Sequence, residues 1–208
     1  HRYITETEGK ISLFDVPLHY NFFNASNDPN YNMAQILEHT LVKENPCKAV
    51  TFVDNHDTQP GQALQSFVQG WFKLIAYSII LLRNDGYPCV FYGDYYGIEH
   101  DHIEPVNDLK TLMLIRKEKS YGLQHDYFDH NNFIGWTQEG DDEHINSGLA
   151  VVISNAGDGY KRMYVGNQNI GETYIDSLGN CEEEVTIDED GCGNFGVKSR
   201  SVSVWIKK

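Results

Sequence analysis

Four consecutive polar residues that could support acid–base chemistry and hydrogen bonding follow directly after an apolar run. They are Asp54, Asn55, His56 and Asp57. Residues 49–53 before them favour a buried strand, and the Pro-Gly pair at 60–61 ends the segment, so the strand delivers polar side chains at its C-terminal end. Placing two carboxylates, an amide and an imidazole there costs free energy, because each group must be solvated or hydrogen-bonded. The pattern therefore predicts a functional site.

The elements around this run alternate between strand and helix. Residues 11–23 read as a strand that runs into a loop, and the apolar spacing over 33–43 is helical. A long apolar face predicts a helix from just after Gly61 to residue 82, and a short buried strand follows over 87–92, with Cys89 as a core residue. A last helix is predicted over 107–119. Strands that alternate with helices and are continuously apolar are typical of parallel βα units.

The pattern changes near Tyr121, where short strands separated by Gly, Asn and Asp clusters begin. Such spacing predicts an antiparallel β-sandwich or barrel. The predicted strands cover 133–136, 148–153, 161–165, 184–187 and 201–206. We therefore expect two domains, an α/β domain over 1–120 and an all-β domain over 121–208.

The number of βα units limits what the first domain can be. Three units cannot close a parallel barrel, which takes eight, and an open sheet of three leaves an unprotected edge. We therefore expect residues 1–120 to be the last part of a (β/α)₈ TIM barrel whose beginning precedes His1. The chain does not begin with methionine, so the lack of a signal peptide says nothing about secretion.

Charge and composition exclude some classes of partner. Sixteen Lys and Arg against 30 Asp and Glu give a formal charge of −14, which argues against nucleic acid and anionic membrane as partners. The longest apolar stretch is interrupted by Lys73 and is too short to span a bilayer. The four cysteines have no CxxC spacing, so neither a zinc site nor a redox dithiol is indicated. Cys181 and Cys192 fall in one predicted hairpin, where a disulfide is a hypothesis, and the compartment stays open.

The run at 52–57 resembles a short signature region of the α-amylase family of retaining glycoside hydrolases. Other segments are similar to the liquefying, Bacillus-type bacterial branch of that family. They are FDVPLHYNF at 14–22, DTQPGQALQSFVQGWFK at 57–73, YPCVFYGDYYGI at 87–98, HDYFDH at 125–130 and KRMYVGNQNIGETY at 161–174. The resemblance covers nearly the whole chain and implies barrel strands six to eight followed by the C-terminal antiparallel domain.

The resemblance also implies which residues act. Asp57 matches the family's third catalytic acid, which stabilises the transition state, and His56 is expected to bind a hydroxyl of the same sugar. Asn55 and Gln62 are candidate substrate-binding residues, with a scaffold role equally open. Asp54 is expected to be a structural acid, and Asp94 and His19 are better explained by loop structure. The aspartate nucleophile and the glutamate general acid are expected before His1, so this chain alone is predicted to be inactive.

Metal binding is predicted to be limited. His100 and His102 form an HxH pair, but no third ligand is set by spacing, so an exposed acidic loop is the preferred interpretation. Relatives of the liquefying branch hold calcium between the two domains, with acids at positions that read Asn131, Asn132 and Asn155 here. Losing carboxylates weakens attraction for a hard cation, so that site is predicted to be weak or empty. The main structural calcium is expected in the intact enzyme, with ligands upstream of this chain.

Three functions follow from these patterns. The first is an α-amylase, acting as a monomer, that cleaves internal α-1,4 bonds of starch, glycogen and malto-oligosaccharides. The second is a non-catalytic α-glucan-binding protein, because the two other acids are not in this chain. The third is a metal-dependent phosphohydrolase with His56 and Asp57 as an HD dyad, although such dyads need further ligands on helices.

Overall fold

The computed structural model describes residues 2–208, and its first half contains a small parallel sheet. Strands β1 (Leu13–Phe14), β2 (Ala49–Phe52) and β3 (Tyr87–Cys89) lie in sequential order, and both pairs are parallel. Helix α2 (Val16–Asn27) lies between the first two strands in the chain, and helix α4 (Gly70–Leu82) lies between the last two. The predicted alternation of parallel strands and helices is confirmed.

Four shorter or later helices complete the first half. They are α1 (Arg2–Glu6), α3 (Leu41–Glu44), α5 (Tyr92–Tyr96) and α6 (Leu109–Lys119), with 3₁₀ turns at Met33–Gln35, Pro46–Lys48 and Glu99–Asp101. The prediction of one continuous helix over 33–43 is wrong, because Thr40 caps a separate helix, α3. Its Oγ1 accepts a hydrogen bond from the backbone N of Lys43 at 3.2 Å.

Residues 16–27 are helical, which corrects the predicted run of strand into loop. The cause is Asp15, whose carboxylate caps α2 by accepting from the backbone N of Leu18 at 3.2 Å. Pro17 sits in the first turn, where it needs no hydrogen-bond donor. Asp15 also accepts hydrogen bonds from the first turn of α3. Its Oδ1 accepts from the backbone N of Leu41 at 3.1 Å and its Oδ2 from the backbone N of Val42 at 2.7 Å, so one buried acid caps two helices.

The predicted helix after Gly61 begins only at Gly70. Residues 61–69 form a loop, and two of its hydrogen bonds explain why the helix does not begin earlier. The backbone N of Val68 donates to Asp54 Oδ2 at 3.2 Å, and the backbone N of Ser66 donates to the carbonyl of Thr58 at 3.0 Å. These donors are therefore used across the loop instead of within a helical turn.

The second half is an antiparallel sandwich of two unequal sheets, in agreement with the predicted class. Six strands pair in the order β4-β5-β6-β11-β8-β9, and a two-stranded ribbon pairs β7 with β10. The strands are β4 (Gln124–Tyr127), β5 (Phe133–Gln138), β6 (Leu149–Ser154), β7 (Gly159–Tyr164), β8 (Thr173–Asp176), β9 (Val185–Thr186), β10 (Cys192–Val197) and β11 (Ser201–Lys207). Strands β4, β8 and β10 were not predicted from the sequence.

Two hydrophobic cores lie on opposite faces of the six-stranded sheet. One core lies between that sheet and the ribbon, and includes Val152, Phe195 and Trp205. The other joins the sheet to α4 and α6 of the first half, and includes Trp136 and Leu82. Trp136 Nε1 donates to the carbonyl of Leu82 at 2.9 Å, so the halves share both apolar packing and a buried hydrogen bond.

The parallel sheet is covered less completely than the antiparallel one. Tyr87 on β3 is 75% exposed and Phe14 on β1 is 60% exposed. Cys89 is also exposed, which corrects its prediction as a core residue, because β3 is an edge strand without a further neighbour among residues 2–208. All four cysteines are free, so the proposed Cys181–Cys192 disulfide is absent. Within this described part, no helix combines the length and apolarity needed to cross a membrane.

Candidate functional site

His56 and Asp57 lie in the loop that follows the C-terminal end of β2. Their side chains are 84% and 54% exposed, and His56 Nε2 lies 3.5 Å from Asp57 Oδ1. Both groups are therefore accessible to a ligand from solvent. A neighbouring imidazole and carboxylate of this kind can donate to one sugar hydroxyl and accept from another.

Asn55 shapes this loop through its side chain. Its Oδ1 accepts from the backbone N of Asp57 at 2.9 Å and of Thr58 at 3.1 Å, which is an Asx turn. The amide oxygen is therefore occupied by the loop, which supports the scaffold role that the sequence left open. Gln62 is exposed further along, in a turn where its backbone N donates to the carbonyl of Gln59 at 3.2 Å.

Asp54 is buried beneath the loop and has the structural role expected of it. Its Oδ1 accepts from Thr58 Oγ1 at 2.8 Å, and its Oδ2 accepts from the backbone N of Val68 at 3.2 Å. The ammonium of Lys73 lies 3.1 Å from Oδ2. Burial raises the pKa of Asp54 to about 7, with Asp94 also raising it while Lys73 and the Thr58 hydrogen bond oppose the shift.

Lys73 connects Asp54 to a second buried acid. The ammonium forms a short ion pair with Asp94 Oδ1 and lies 3.4 Å from the centre of the Phe67 ring. Tyr77 donates from its hydroxyl to Asp94 Oδ2 at 2.6 Å, and burial together with the Asp94 charge raises the Tyr77 pKa well above its ordinary value. The sequence carried one signal of this network, because Lys73 interrupts an otherwise apolar helix.

His19 lies on α2 and is buried against the base of the same loop. Its Nδ1 lies 2.6 Å from the carbonyl of Val53, so Nδ1 carries the hydrogen, and its Nε2 lies 2.8 Å from Ser66 Oγ. The ring stacks on Phe52 at 5.2 Å between centroids. Burial lowers the His19 pKa and favours the neutral ring, against the opposing effect of the Val53 hydrogen bond. Its contacts are structural, as expected.

Among the residues that the structure describes, the HxH pair lies apart from any set of ligands. His100 belongs to the 3₁₀ turn Glu99–Asp101, where its Nε2 lies 3.4 Å from Asp101 Oδ2, and His102 follows in the left-handed conformation at φ 54°. Within residues 2–208, no three His, Cys, Asp or Glu side chains are grouped so that they could hold a metal ion.

Three asparagines lie at the junction between the two halves. The carbonyl of Asn131 accepts from the backbone N of Met33 at 2.7 Å, and the carbonyl of Asn132 accepts from the backbone N of Asn155 at 3.3 Å. Asn155 Nδ2 donates to the carbonyl of Tyr31 at 2.9 Å, whereas Asn155 Oδ1 is buried without a hydrogen bond. A cation at this junction would therefore find only uncharged oxygens on the asparagines. Two of these oxygens, the backbone carbonyls of Asn131 and Asn132, already accept hydrogen bonds. This set fits calcium poorly.

Part of the chain matches the model of a known protein family. Residues 149–206 match the family model described as "Alpha-amylase C-terminal". This region covers strands β6 to β11, which form most of the antiparallel half.

The whole chain is also similar to individual α-amylases. It is 50% identical over 210 residues to an α-amylase of Geobacillus stearothermophilus, covering 100% of this chain and 38% of that enzyme. It is 51% identical over 211 residues to an α-amylase of Bacillus licheniformis, covering 99% of this chain and 41% of that enzyme. The chain thus corresponds to the C-terminal part of Bacillus α-amylases, which confirms the resemblance. It spans about two fifths of the length of these relatives.

Solved structures agree at the level of the fold. An Anoxybacillus α-amylase superposes with a TM-score of 0.69 at 16% identity, covering 99% of this chain and 49% of that one. An α-amylase of Geobacillus thermoleovorans gives a TM-score of 0.67 at 16% identity, covering 100% of this chain and 51% of that one. Both halves therefore occur together, with the same fold, in these two solved structures.

Proposed function

We propose that the chain is the C-terminal part of a retaining α-amylase that cleaves internal α-1,4 bonds of starch, glycogen and malto-oligosaccharides. The observation that carries the proposal is the identity of about half over the whole chain to Bacillus α-amylases. The exposed His56 and Asp57 at the C-terminal end of a parallel strand support it, because active sites of (β/α)₈ barrels are built at that end of the strands.

The chain then contributes barrel strands six to eight over residues 1–120 and the antiparallel domain over residues 121–208. Three parallel strands in sequential order and the exposed residues Phe14 and Tyr87 support this division, since further strands would cover both edges. The formal charge of −14 makes neutral glucan a suitable partner and nucleic acid or anionic membrane an unsuitable one. The protein is proposed to act as a monomer.

Retaining hydrolysis needs one carboxylate to attack the anomeric carbon and one carboxylic acid to protonate the leaving oxygen, roughly 5 Å apart. Both are proposed to lie outside this chain. Asp57 accepts hydrogen bonds from sugar hydroxyls, and its fixed negative charge favours the ring as it gains oxocarbenium character. His56 donates to a hydroxyl of the same sugar, and this hydrogen bond strengthens as positive charge develops. Residues 1–208 alone are therefore inactive.

Calcium is proposed to support the intact enzyme through ligands outside this chain. At the junction, Asn131, Asn132 and Asn155 contribute no carboxylate, so binding there is weak or absent. No catalytic step depends on this site.

The test compares Asp57→Asn with Asp142→Asn in the protein at its full natural length, by measuring reducing ends released from soluble starch. Asp142 is an exposed acid on another loop and serves as the matched control. We expect Asp57→Asn to lower kcat on the order of 10³-fold, because a contact that strengthens in the transition state is lost, and Asp142→Asn to change nothing. Full activity of Asp57→Asn, or starch cleavage by residues 1–208 alone, would contradict the proposal.

A further inference from the structure

A buried lysine lies directly beneath the loop that carries His56 and Asp57. Lys73 is only 3% exposed, and its ammonium is surrounded by Asp54, Asp94 and the Phe67 ring. The proposed chemistry does not use it. Buried ion pairs are often no more stabilising than apolar residues of the same volume, because desolvating the charges offsets their attraction. A contribution to the stability of the fold is therefore a poor explanation for a buried lysine at position 73.

The first acid of the network holds both ends of the loop. Asp54 accepts from Thr58 on one side and from the backbone N of Val68 on the other. Thr58 Oγ1 in turn accepts from the backbone N of Asn55 at 3.0 Å. The Asp54 carboxylate therefore helps to fix residues 55–58, together with the Asx turn of Asn55, and Asp57 is among them.

The second acid belongs to the segment that follows β3. Asp94 accepts from the Tyr77 hydroxyl, and the Tyr77 oxygen also accepts from the backbone N of Phe91 at 3.3 Å. The backbone carbonyl of Asp94 accepts from the backbone N of Val106 at 2.8 Å, which closes the loop before α6. Lys73 thus joins the segments that leave two neighbouring parallel strands, at the edge of the sheet where the proposed site lies.

We infer that Lys73 is a positioning residue, which holds the loop bearing His56 and Asp57 in its working geometry through Asp54 and Asp94. This inference rests on the proposed function for its effect on activity, although the loop geometry can be tested without it. Displacing a catalytic group by about 1 Å can lower a rate on the order of 10²-fold. Because Asp57 acts on the transition state, the loss falls on kcat and not on KM.

The experiment uses the protein at its full natural length with three substitutions. Thr58→Val keeps the side-chain volume and removes the link between Asp54 and the loop. Lys73→Met removes the bridging charge. Lys161→Met is the matched control, because Lys161 is also largely buried and pairs with an acid, Asp129, in the antiparallel half. For each variant, kcat and KM on a malto-oligosaccharide and amide hydrogen exchange over residues 54–69 are measured below the unfolding temperature.

We expect Thr58→Val and Lys73→Met to lower kcat at least about tenfold with KM changed less than about threefold. Amides of the loop, such as those of Asp57 and Ser66, should exchange at least about tenfold faster, and Lys161→Met should change neither quantity. If the Lys73→Met variant does not fold, kcat and loop exchange in the Thr58→Val variant decide whether the network positions the loop. Unchanged loop exchange and unchanged kcat in Thr58→Val would overturn the inference.

The two ideas fail in different ways. If Asp57→Asn is fully active, the proposed function is wrong, and loop exchange in the Thr58→Val and Lys73→Met variants still decides whether the network positions the loop. If Asp57→Asn is inactive but both network variants are less stable with normal kcat and normal loop exchange, the proposed function stands and the positioning role is wrong.

Discussion

The two sheets of the molecule differ in how completely they are covered. Every residue of β6 in the six-stranded sheet is buried, because α4 and α6 pack on one face and the β7–β10 ribbon packs on the other. In the three-stranded sheet, the edge strands expose Phe14 and Tyr87. The six-stranded sheet is therefore covered on both faces, whereas the three-stranded sheet next to the candidate site leaves apolar side chains exposed on both of its edge strands.

The largest expected effect on the free energy of unfolding comes from the hydrophobic core that both halves share. Trp136→Ala removes a fully buried ring and its hydrogen bond to the Leu82 carbonyl, and should lower the free energy of unfolding by about 3–5 kcal/mol. Urea unfolding followed by circular dichroism measures this. Tyr160→Ala on the exposed face of β7 is the control and should cost less than about 0.5 kcal/mol. A similar loss from both substitutions would contradict a core joining the two halves.

The next effect tests the buried charges under the candidate loop. The pKa of Asp54 is about 7 in the folded protein and near 3.8 when unfolded, so the folded state binds the extra proton between these values. The free energy of unfolding should therefore fall as pH rises from about 4 to 7, by at most a few kcal/mol. The groups that face Asp54 are Lys73, Asp94 and Thr58.

Asp54→Asn removes this titration, and the difference between the two pH profiles isolates it from other groups. The wild type should lose stability relative to Asp54→Asn as pH rises from about 4 to 7, and the difference should level off above 7. Parallel profiles for the two proteins over pH 4 to 8 would show that Asp54 keeps an ordinary pKa.

Sequence reasoning identified the alternation of parallel strands and helices followed by an antiparallel half, but not the boundaries of the elements near the candidate site. The apolar helical spacing from Leu64 onward is correct only from Gly70, where α4 begins. Before it, the backbone N of Val68 donates to Asp54, 14 positions away, and no local sequence pattern predicts that hydrogen bond. The start of α2 was available in principle, because Asp15 followed by Val16 and Pro17 is a helix-capping pattern.

The same limit applies to the site itself. His56 and Asp57 stood out as neighbours in sequence, and they also lie together in space. The Lys73 network did not stand out, because Asp54, Lys73 and Asp94 are separated by 19 and 21 positions in the sequence. They meet only because α4 brings Lys73 beside the start of the loop and beside α5, which carries Asp94. Cys89 was misplaced for a related reason, since an apolar run does not reveal that its strand is an edge.

A smaller effect concerns calcium at the junction between the halves. Asn131→Asp combined with Asn155→Asp adds two carboxylates and should create calcium-dependent stabilisation of about 1–3 kcal/mol, measured as the shift in unfolding between calcium and chelator. The control pair is Asn146→Asp with Asn194→Asp, which adds the same charge at exposed positions. An equal, measurable calcium stabilisation of the wild type and the double variant would mean that the asparagines already bind the ion, and no shift in either would mean that these positions do not form a site.

The smallest effect lies at the open edge of the parallel sheet. Tyr87→Ala in residues 1–208 should change the free energy of unfolding by less than about 0.5 kcal/mol, because the side chain is 75% exposed. In the protein at its full natural length, the same substitution should cost about 1.5–3 kcal/mol if a further strand covers the ring. Tyr160→Ala, at 62% exposure on β7, should cost little in both. An equally small cost for Tyr87→Ala in both proteins would mean that this edge stays open, and the proposed barrel would then be wrong.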